Sequence, residues 1–486
     1  MKKRIIVFTL MLIATQVVGF AQKKKSSTET GYNISVTIKG HADSLLYLAN
    51  YYGGNQYLKD SAYSNKNKPG VFVFKGKEPL LGGIYILATQ KKVKLIELVI
   101  DKNQNFSVVT DTVDFLNNLS FKNSPENEEF YSYVKPTSKF QSELSRLQKQ
   151  LKDAKNVKNE EGIKTTEQSI KDKSKELEKF TKDFIAKNPE ALISKVLKVN
   201  EQIEIPELPI KENGNSDSTW GWRYYKTHYW DYVDLKDDRL LRTPVFTNKL
   251  STFFNAVIIQ DNDSIKKEAD ILIETVRDNK EMFKYIVWWI TNHYETSKIM
   301  GQDEIFVHMA EKYYATNQCT WVTQSTVDNM NKRAAQIKAI LIGAKAPELV
   351  MPDTNNVFIS SHSPKTKFTF MWFWDPDCGH CKIETPKLRD FYNAQKDSLS
   401  IEVFAISTDQ DLERWKKYIK ENKLTWINVG GNTANIDFRK VYDIYSTPVL
   451  FILDENKKII AKRISIDDLP DFFKQYNRMM EHNKKK

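Results

Sequence analysis

The chain has 486 residues, 41% hydrophobic and 28% charged, with a formal net charge of +11. That length suits two to four domains, and the composition excludes a disordered chain and a membrane-embedded one. The basic residues are spread among 62 acidic ones, with short lysine runs only at Lys23–Lys25 and Lys484–Lys486, so a solvated basic surface is favoured over nucleic-acid binding.

The N-terminus has the form of a targeting segment. Lys2, Lys3 and Arg4 precede an apolar stretch, Ile5–Phe20, that is short for a membrane span. Gly19 and Ala21 suit cleavage after Ala21, which makes residues 1–21 a signal peptide and the mature chain an exported protein. Retention of Ile5–Phe20 as an uncleaved anchor is the alternative. No cysteine lies near the cleavage point, which disfavours a lipid-anchored form.

Residues 30–123 alternate apolar and polar positions in short runs: NISVTIKG, SLLYLANY, GVFVFKG, GGIYILAT, KLIELVID and NFSVVTD. Turn residues such as Gly53-Gly54, Pro69-Gly70 and Gly82-Gly83 separate them. This spacing predicts an N-terminal antiparallel β-sandwich or barrel-like domain, read as a binding or assembly module.

Residues 124–342 change to helical periodicity. Phe140, Leu144, Leu147, Leu151 and Ala154 form one seam, and Ile163, Ile170, Leu177, Phe180 and Phe184 another, with polar Asn156–Gly162 between them. A helical hairpin is predicted, with one long helix as the alternative. Around His228, aromatic residues from Trp220 to Tyr232 crowd together; an aromatic core is favoured over a ligand surface. His228, His293 and His308 are isolated, and Cys319 reads as a small buried hydrophobe.

From residue 343 to 482, strands alternate with helices, which implies an α/β sheet with covering helices. FTFMWFW (Phe368–Trp374), IEVFAIST (Ile401–Thr408) and PVLFILD (Pro448–Asp454) read as buried strands, and a helix is expected from about Cys378 to Ala394.

At the junction of the first strand and that helix stands WFWDPDCGHCKIETP (Trp372–Pro386), with two of the three cysteines in the chain. A structural staple is a poor explanation, because Cys378 and Cys381 enclose too short a loop to restrict the unfolded chain usefully. A zinc site lacks further matched ligands, and covalent haem attachment would need histidine where Lys382 stands. Redox chemistry fits better. Asp377 is the expected N-cap, which would place Cys378 against free amide N–H groups and the positive end of the helix dipole. Cys381 follows on the same face, able to resolve a mixed disulfide formed on Cys378. Gly379 and His380 occupy the intervening positions; His380 would stabilise a thiolate and Asp377 would oppose it. Glu384 either faces inward and relays the Cys381 proton or lies exposed on the helix; spacing alone does not choose. A copper(I) site using Cys378, Cys381 and a distant histidine is the remaining alternative.

GAKAPEL (Gly343–Leu349), FWDPDCGHCKIETP and STPVLFILD (Ser446–Asp454) together resemble the thioredoxin fold of the TlpA/ResA-like thiol-disulfide oxidoreductases. The resemblance implies that Cys378 is the nucleophile, Cys381 the resolving cysteine, and Cys378–Cys381 the redox-active disulfide. It implies Glu384 as the carboxylate behind them, Pro386 as a helix-kinking proline, and Pro448 as a cis-proline facing the disulfide. Thr447, Pro448 and Trp374 are the expected substrate-binding residues. Two departures stand out: Asp377 replaces the usual tryptophan, and Gly379-His380 is the dipeptide seen in protein disulfide isomerases. Asp377, Gly379 and His380 are therefore the expected redox-tuning positions.

The segments before it resemble less specific modules of Gram-negative envelope proteins, a β-rich one ending in SPEN and a helical one containing HYWDYVDLKDDRLLRTPV (His228–Val245). The implied protein is a periplasmic enzyme without cofactor or metal. It would exchange disulfides with protein substrates, reducing selected ones for redox homeostasis or a role like cytochrome c maturation, with a periplasmic or membrane electron donor. An oxidase or isomerase, or a copper-handling binding protein with a non-catalytic CxxC, are the competing functions.

Overall fold

The computed structural model describes residues 31–208, 217–431 and 433–484. The predicted signal peptide lies outside the described residues. No described helix is long and apolar enough to cross a membrane.

The N-terminal region contains β1 (Tyr32–Lys39), β2 (Leu45–Tyr52), β3 (Asn55–Tyr63), β4 (Val71–Gly76), β5 (Gly83–Thr89), β6 (Lys94–Ile100), β7 (Asn105–Asp111) and β8 (Ser120–Lys122). They form two four-stranded sheets, ordered β4-β1-β7-β8 and β3-β2-β5-β6. Strand alternation drives this arrangement: Ile34, Val36 and Ile38 of β1 are all fully buried while their neighbours are not. The pairings are antiparallel, as expected, except that β1 and β7 pair in parallel. Strand β3 escapes the sequence pattern because nearly all of it is exposed, so it carries no apolar alternation.

The helical region begins with α1 (Pro125–Asn156) and α2 (Glu160–Lys187), packed as the predicted hairpin. Asn159 caps α2 by accepting the Gly162 N–H at 2.9 Å. The SPEN segment joins the two regions. Fully buried Asn127 accepts from the Val99 N–H and donates to the Val99 carbonyl, both at 2.8 Å, so its amide pairs the free edge of β6 as a strand would. There follow α3 (Leu192–Val199), α4 (Trp220–Thr227), α5 (Phe246–Thr252), α6 (Asn262–Thr275), α7 (Lys280–Glu295), α8 (Asp303–Met309) and α9 (Gln324–Lys338). One hydrophobic core runs continuously from Ile34 of β1 to Ile337 of α9. The aromatic crowd divides: Tyr229 is buried within this core, whereas Trp222 and Tyr232 are exposed. Cys319 is buried, as a small hydrophobe would be, and burial pushes its thiol pKa up to about 12.

The C-terminal region contains β9 (Val350–Pro352), β10 (Phe358–Ser360), β11 (Phe368–Trp374), α10 (Gly379–Leu399), β12 (Ile401–Ser407), α11 (Leu412–Glu421), β13 (Ile427–Val429), α12 (Phe438–Val441), β14 (Val449–Leu453), β15 (Ile459–Lys462) and α13 (Leu469–Lys484). Its main sheet is ordered β13-β12-β11-β14-β15, with β11, β12 and β13 parallel and β14 and β15 antiparallel. The central strand β11 is buried along its whole length because both sheet faces are covered. Phe370, Trp372 and Trp374 enter one core, and Met371 and Phe373 the other. The β9–β10 hairpin is too short to have stood out in the sequence.

This region is tied to the helices by charge. Arg333 of α9 makes two hydrogen bonds to buried Asp443, which Arg463 also holds. Lys462 pairs with Asp303 of α8 and donates to the Ile340 carbonyl at 2.9 Å.

Candidate active site

The site sits where β11 gives way to α10. The turn is built by Asp375, whose carboxylate accepts the Asp377 N–H at 2.8 Å and whose carbonyl accepts the Cys378 N–H at 3.1 Å. Asp377 is therefore not the N-cap expected from sequence. Cys378 is: its φ and ψ of −72° and 123° are extended, and its sulfur accepts the Cys381 N–H at 3.4 Å. The cap residue and the reactive candidate are the same side chain, so the sulfur occupies the position where helix N–H groups converge.

The two thiols differ in environment. Cys378 is partly exposed and Cys381 is fully buried. For Cys378, burial opposes ionisation, but hydrogen bonds from Cys381, the Thr447 side chain and the His380 amide outweigh it and lower the thiol pKa. Burial, aided by neighbouring Cys378, pushes the Cys381 thiol up to about 12, although the Asp375 N–H at 3.5 Å works against it. One thiol is thus readied to ionise while the other holds its proton.

Thr447 and Pro448 come to the same end of the sheet, because Val449, which follows them, pairs with Phe373 of neighbouring β11. The Cys378 thiol donates to the Thr447 carbonyl at 3.3 Å, and the Thr447–Pro448 peptide bond is cis. Beside them opens a groove of about 610 Å³, lined among others by His380, Glu384, Tyr445, Pro448, Arg333 and Arg463.

The other sequence-selected residues fall out differently. His380 is exposed at the groove. A Cβ built on Gly379 would meet nothing within 4 Å, so this glycine is not required by packing and leaves the surface beside Cys378 open. Asp377 is exposed and lies 3.2 Å from Lys382 and 3.9 Å from Arg414, which screen its charge from the thiol. Glu384 does not lie buried behind Cys381: it opens on the groove and pairs with Lys387 at 3.0 Å. Trp374 is fully buried against Tyr418, with ring centroids 5.1 Å apart, and cannot present a face to a substrate as expected. Pro386 stands inside α10. Among the described residues, no group of three or more His, Cys, Asp or Glu side chains is placed to hold a metal.

Sequence reasoning missed Arg333, Tyr445 and Arg463. Arg333 belongs to a helix outside this sheet and stands 5.7 Å over the Tyr445 ring, a contact with no signature in local spacing.

Residues 366–459 match the family described as thioredoxin-like. A domain of a possible thiol-disulfide isomerase from Cytophaga hutchinsonii is 42% identical, matching 29% of this chain and 97% of that one, with a TM-score of 0.28. Through this domain the chain belongs to the TlpA/ResA-like thiol-disulfide oxidoreductases. The thioredoxin domain of a thiol-disulfide oxidoreductase from Bacteroides vulgatus is 33% identical over 28% of this chain and 96% of its own, with a TM-score of 0.26. The ResA thiol-disulfide oxidoreductase of Bacillus subtilis is 25% identical over 123 residues, 25% of this chain and 67% of its own. Two further matches precede the oxidoreductase domain, both to domains of unknown function: DUF4369 at residues 32–130 and DUF5106 at residues 161–338.

Proposed function

We propose that this oxidoreductase acts after export, in the periplasm, and that Cys378 and Cys381 carry the exchange. The observation that carries the reading is the pairing of a lowered-pKa thiol at a helix N-terminus with a buried, raised-pKa thiol three residues on. The Cys378 thiolate attacks one sulfur of a substrate disulfide, and the other substrate sulfur leaves as a thiolate that takes up a proton. Cys381 then gives up its proton and attacks Cys378 Sγ in the mixed disulfide. The second substrate thiol departs, and Cys378–Cys381 is left oxidised. Two electrons pass to the substrate, so a partner dithiol must return the pair to the reduced state.

An extended substrate segment would lie along the groove, against the backbone of Thr447 and beside Pro448. Glu384, which lines the groove, would exchange protons with the resolving step through water. The basic n-region and short apolar stretch at the start of the chain support export.

The lowered Cys378 pKa and the screening of Asp377 favour a second reading, disulfide isomerisation, which also begins from the reduced dithiol. Insulin reduction tests the redox reading itself. Cys378→Ser is expected to abolish it; activity surviving that substitution would refute the assignment.

A further inference from the structure

A cavity of about 720 Å³ lies between the β3-β2-β5-β6 sheet and the helices, a volume typical of small-molecule sites. It shares no lining residue with the groove at Cys378. Tyr52 and Tyr85 wall it from the sheet, and Tyr285, Trp288 and Trp321 from the helical side. At its margin Tyr57, Leu81 and Trp288 are 46%, 57% and 41% exposed, an apolar rim left open to solvent.

Two buried polar side chains of this cavity each have one atom without a hydrogen-bond partner among the described residues. Arg242, 2% exposed, gives Nε to the Gly82 carbonyl and Nη2 to Asp238, and its Nη1 has no acceptor. Asn50, 3% exposed, gives Nδ2 to the Tyr51 carbonyl, and its Oδ1 has no donor. Buried groups of this kind are rare in native structures, because an unmet hydrogen bond to a charged group is costly.

The arginine is also deliberately seated. It ends the short helix Asp238–Arg242, and a Cβ at Gly83 would come within 2.4 Å of the Arg242 Cβ, so only glycine allows this approach. Arg242 lines the cavity together with Tyr52 and Tyr85. Lys59 and Lys284 add positive charge, and neither has an ion pair among the described residues. Of the two lining carboxylates, Glu295 is already 3.7 Å from Arg333.

We propose that this cavity binds a small amphipathic organic anion. Its apolar or aromatic body lies against the tyrosine and tryptophan walls, its anionic group meets Arg242, and a hydroxyl or amide donor meets Asn50.

The test uses the full chain and two fluorescent dyes of one skeleton, anionic 1-anilinonaphthalene-8-sulfonate and neutral N-phenyl-1-naphthylamine. The sulfonate is expected to bind saturably at one site, about tenfold or more tighter than the neutral dye. Decanoate is expected to displace it. Arg242→Met should remove the preference and leave the neutral dye bound, and Trp288→Ala should weaken both dyes. Should Arg242→Met fail to fold by circular dichroism, Lys284→Glu decides: it should weaken the sulfonate and spare the neutral dye. Equal affinity for both dyes, non-saturable binding, or an anion preference that survives these charge substitutions would overturn the proposal. Disulfide exchange at Cys378 would be unaffected by that failure.

Discussion

The sulfur of Cys378 lies 3.3 Å from the carbonyl oxygen of Thr447, 69 residues further along the chain. That contact brings together a helix N-terminus and the loop leading into β14 at the same end of the sheet, and it leaves Cys381 covered behind them. Cys378 is left partly exposed with a lowered thiol pKa, and burial raises that of Cys381.

Alkylation of the reduced protein as a function of pH measures both. Cys378 should react with iodoacetamide with a midpoint below the ~8.5 of an ordinary cysteine. Its rate should fall as the pH drops through that midpoint, because protonation removes the nucleophile. Cys381 should stay unmodified in the folded protein across the same range. Peptide mapping that finds Cys381 alkylated first would contradict the assignment.

The reduction potential reports how far the thiolate is stabilised. With Asp377 screened by Lys382 and Arg414, the reduced form is favoured and the disulfide becomes more oxidising. Titration against glutathione should give a value nearer the ~−180 mV of isomerases than the ~−270 mV of thioredoxin. Asp377→Asn should move it little. A shift of tens of millivolts on that substitution would show that the Asp377 charge is felt by the sulfur after all.

Asp443 joins the oxidoreductase domain to α9. Its buried carboxylate is held by Arg333 and Arg463 together. Asp443→Asn leaves the two guanidinium groups facing an uncharged partner and should cost about 3–5 kcal/mol in urea unfolding. Arg333→Leu should cost less, since Arg463 still neutralises the carboxylate. Equal and negligible effects would mean the joint contributes nothing to stability.

Acid stability has a specific source in Asp237. Burial works against its carboxylate, but hydrogen bonds from Arg239 and Lys195 outweigh it and bring the pKa to about 2. A depressed carboxylate contributes stability above its unfolded pKa of ~3.9, lost as the pH falls toward the folded value. The contribution is about 2 kcal/mol. Unfolding free energy should therefore decline between about pH 4 and pH 2, and Asp237→Asn should flatten that decline while lowering stability at pH 7.

Much of this was legible in the sequence, for definite reasons. Phe368–Trp374 is apolar at every position because both faces of β11 are covered, so its burial shows in composition alone. The CxxC pair declared itself because two of three cysteines stand three residues apart after that strand. What was hidden depends on geometry that local spacing does not record. Asp375, not Asp377, builds the turn, which makes Cys378 its own helix cap. Trp374 alternates into the core with Trp372, a consequence of strand register. Strand β3 lacks a buried face, and the parallel pairing of β1 with β7 joins segments some seventy residues apart. Arg333 reaches the groove from another region altogether.

In the proposed exchange Cys378 attacks and Cys381 resolves. Intact-mass analysis of Cys381→Ser after incubation with a disulfide-bonded peptide tests it most directly. A stable one-to-one mixed disulfide on Cys378 is expected, absent from the Cys378→Ser, Cys381→Ser double variant. No adduct, or an adduct that persists in the double variant, would contradict it.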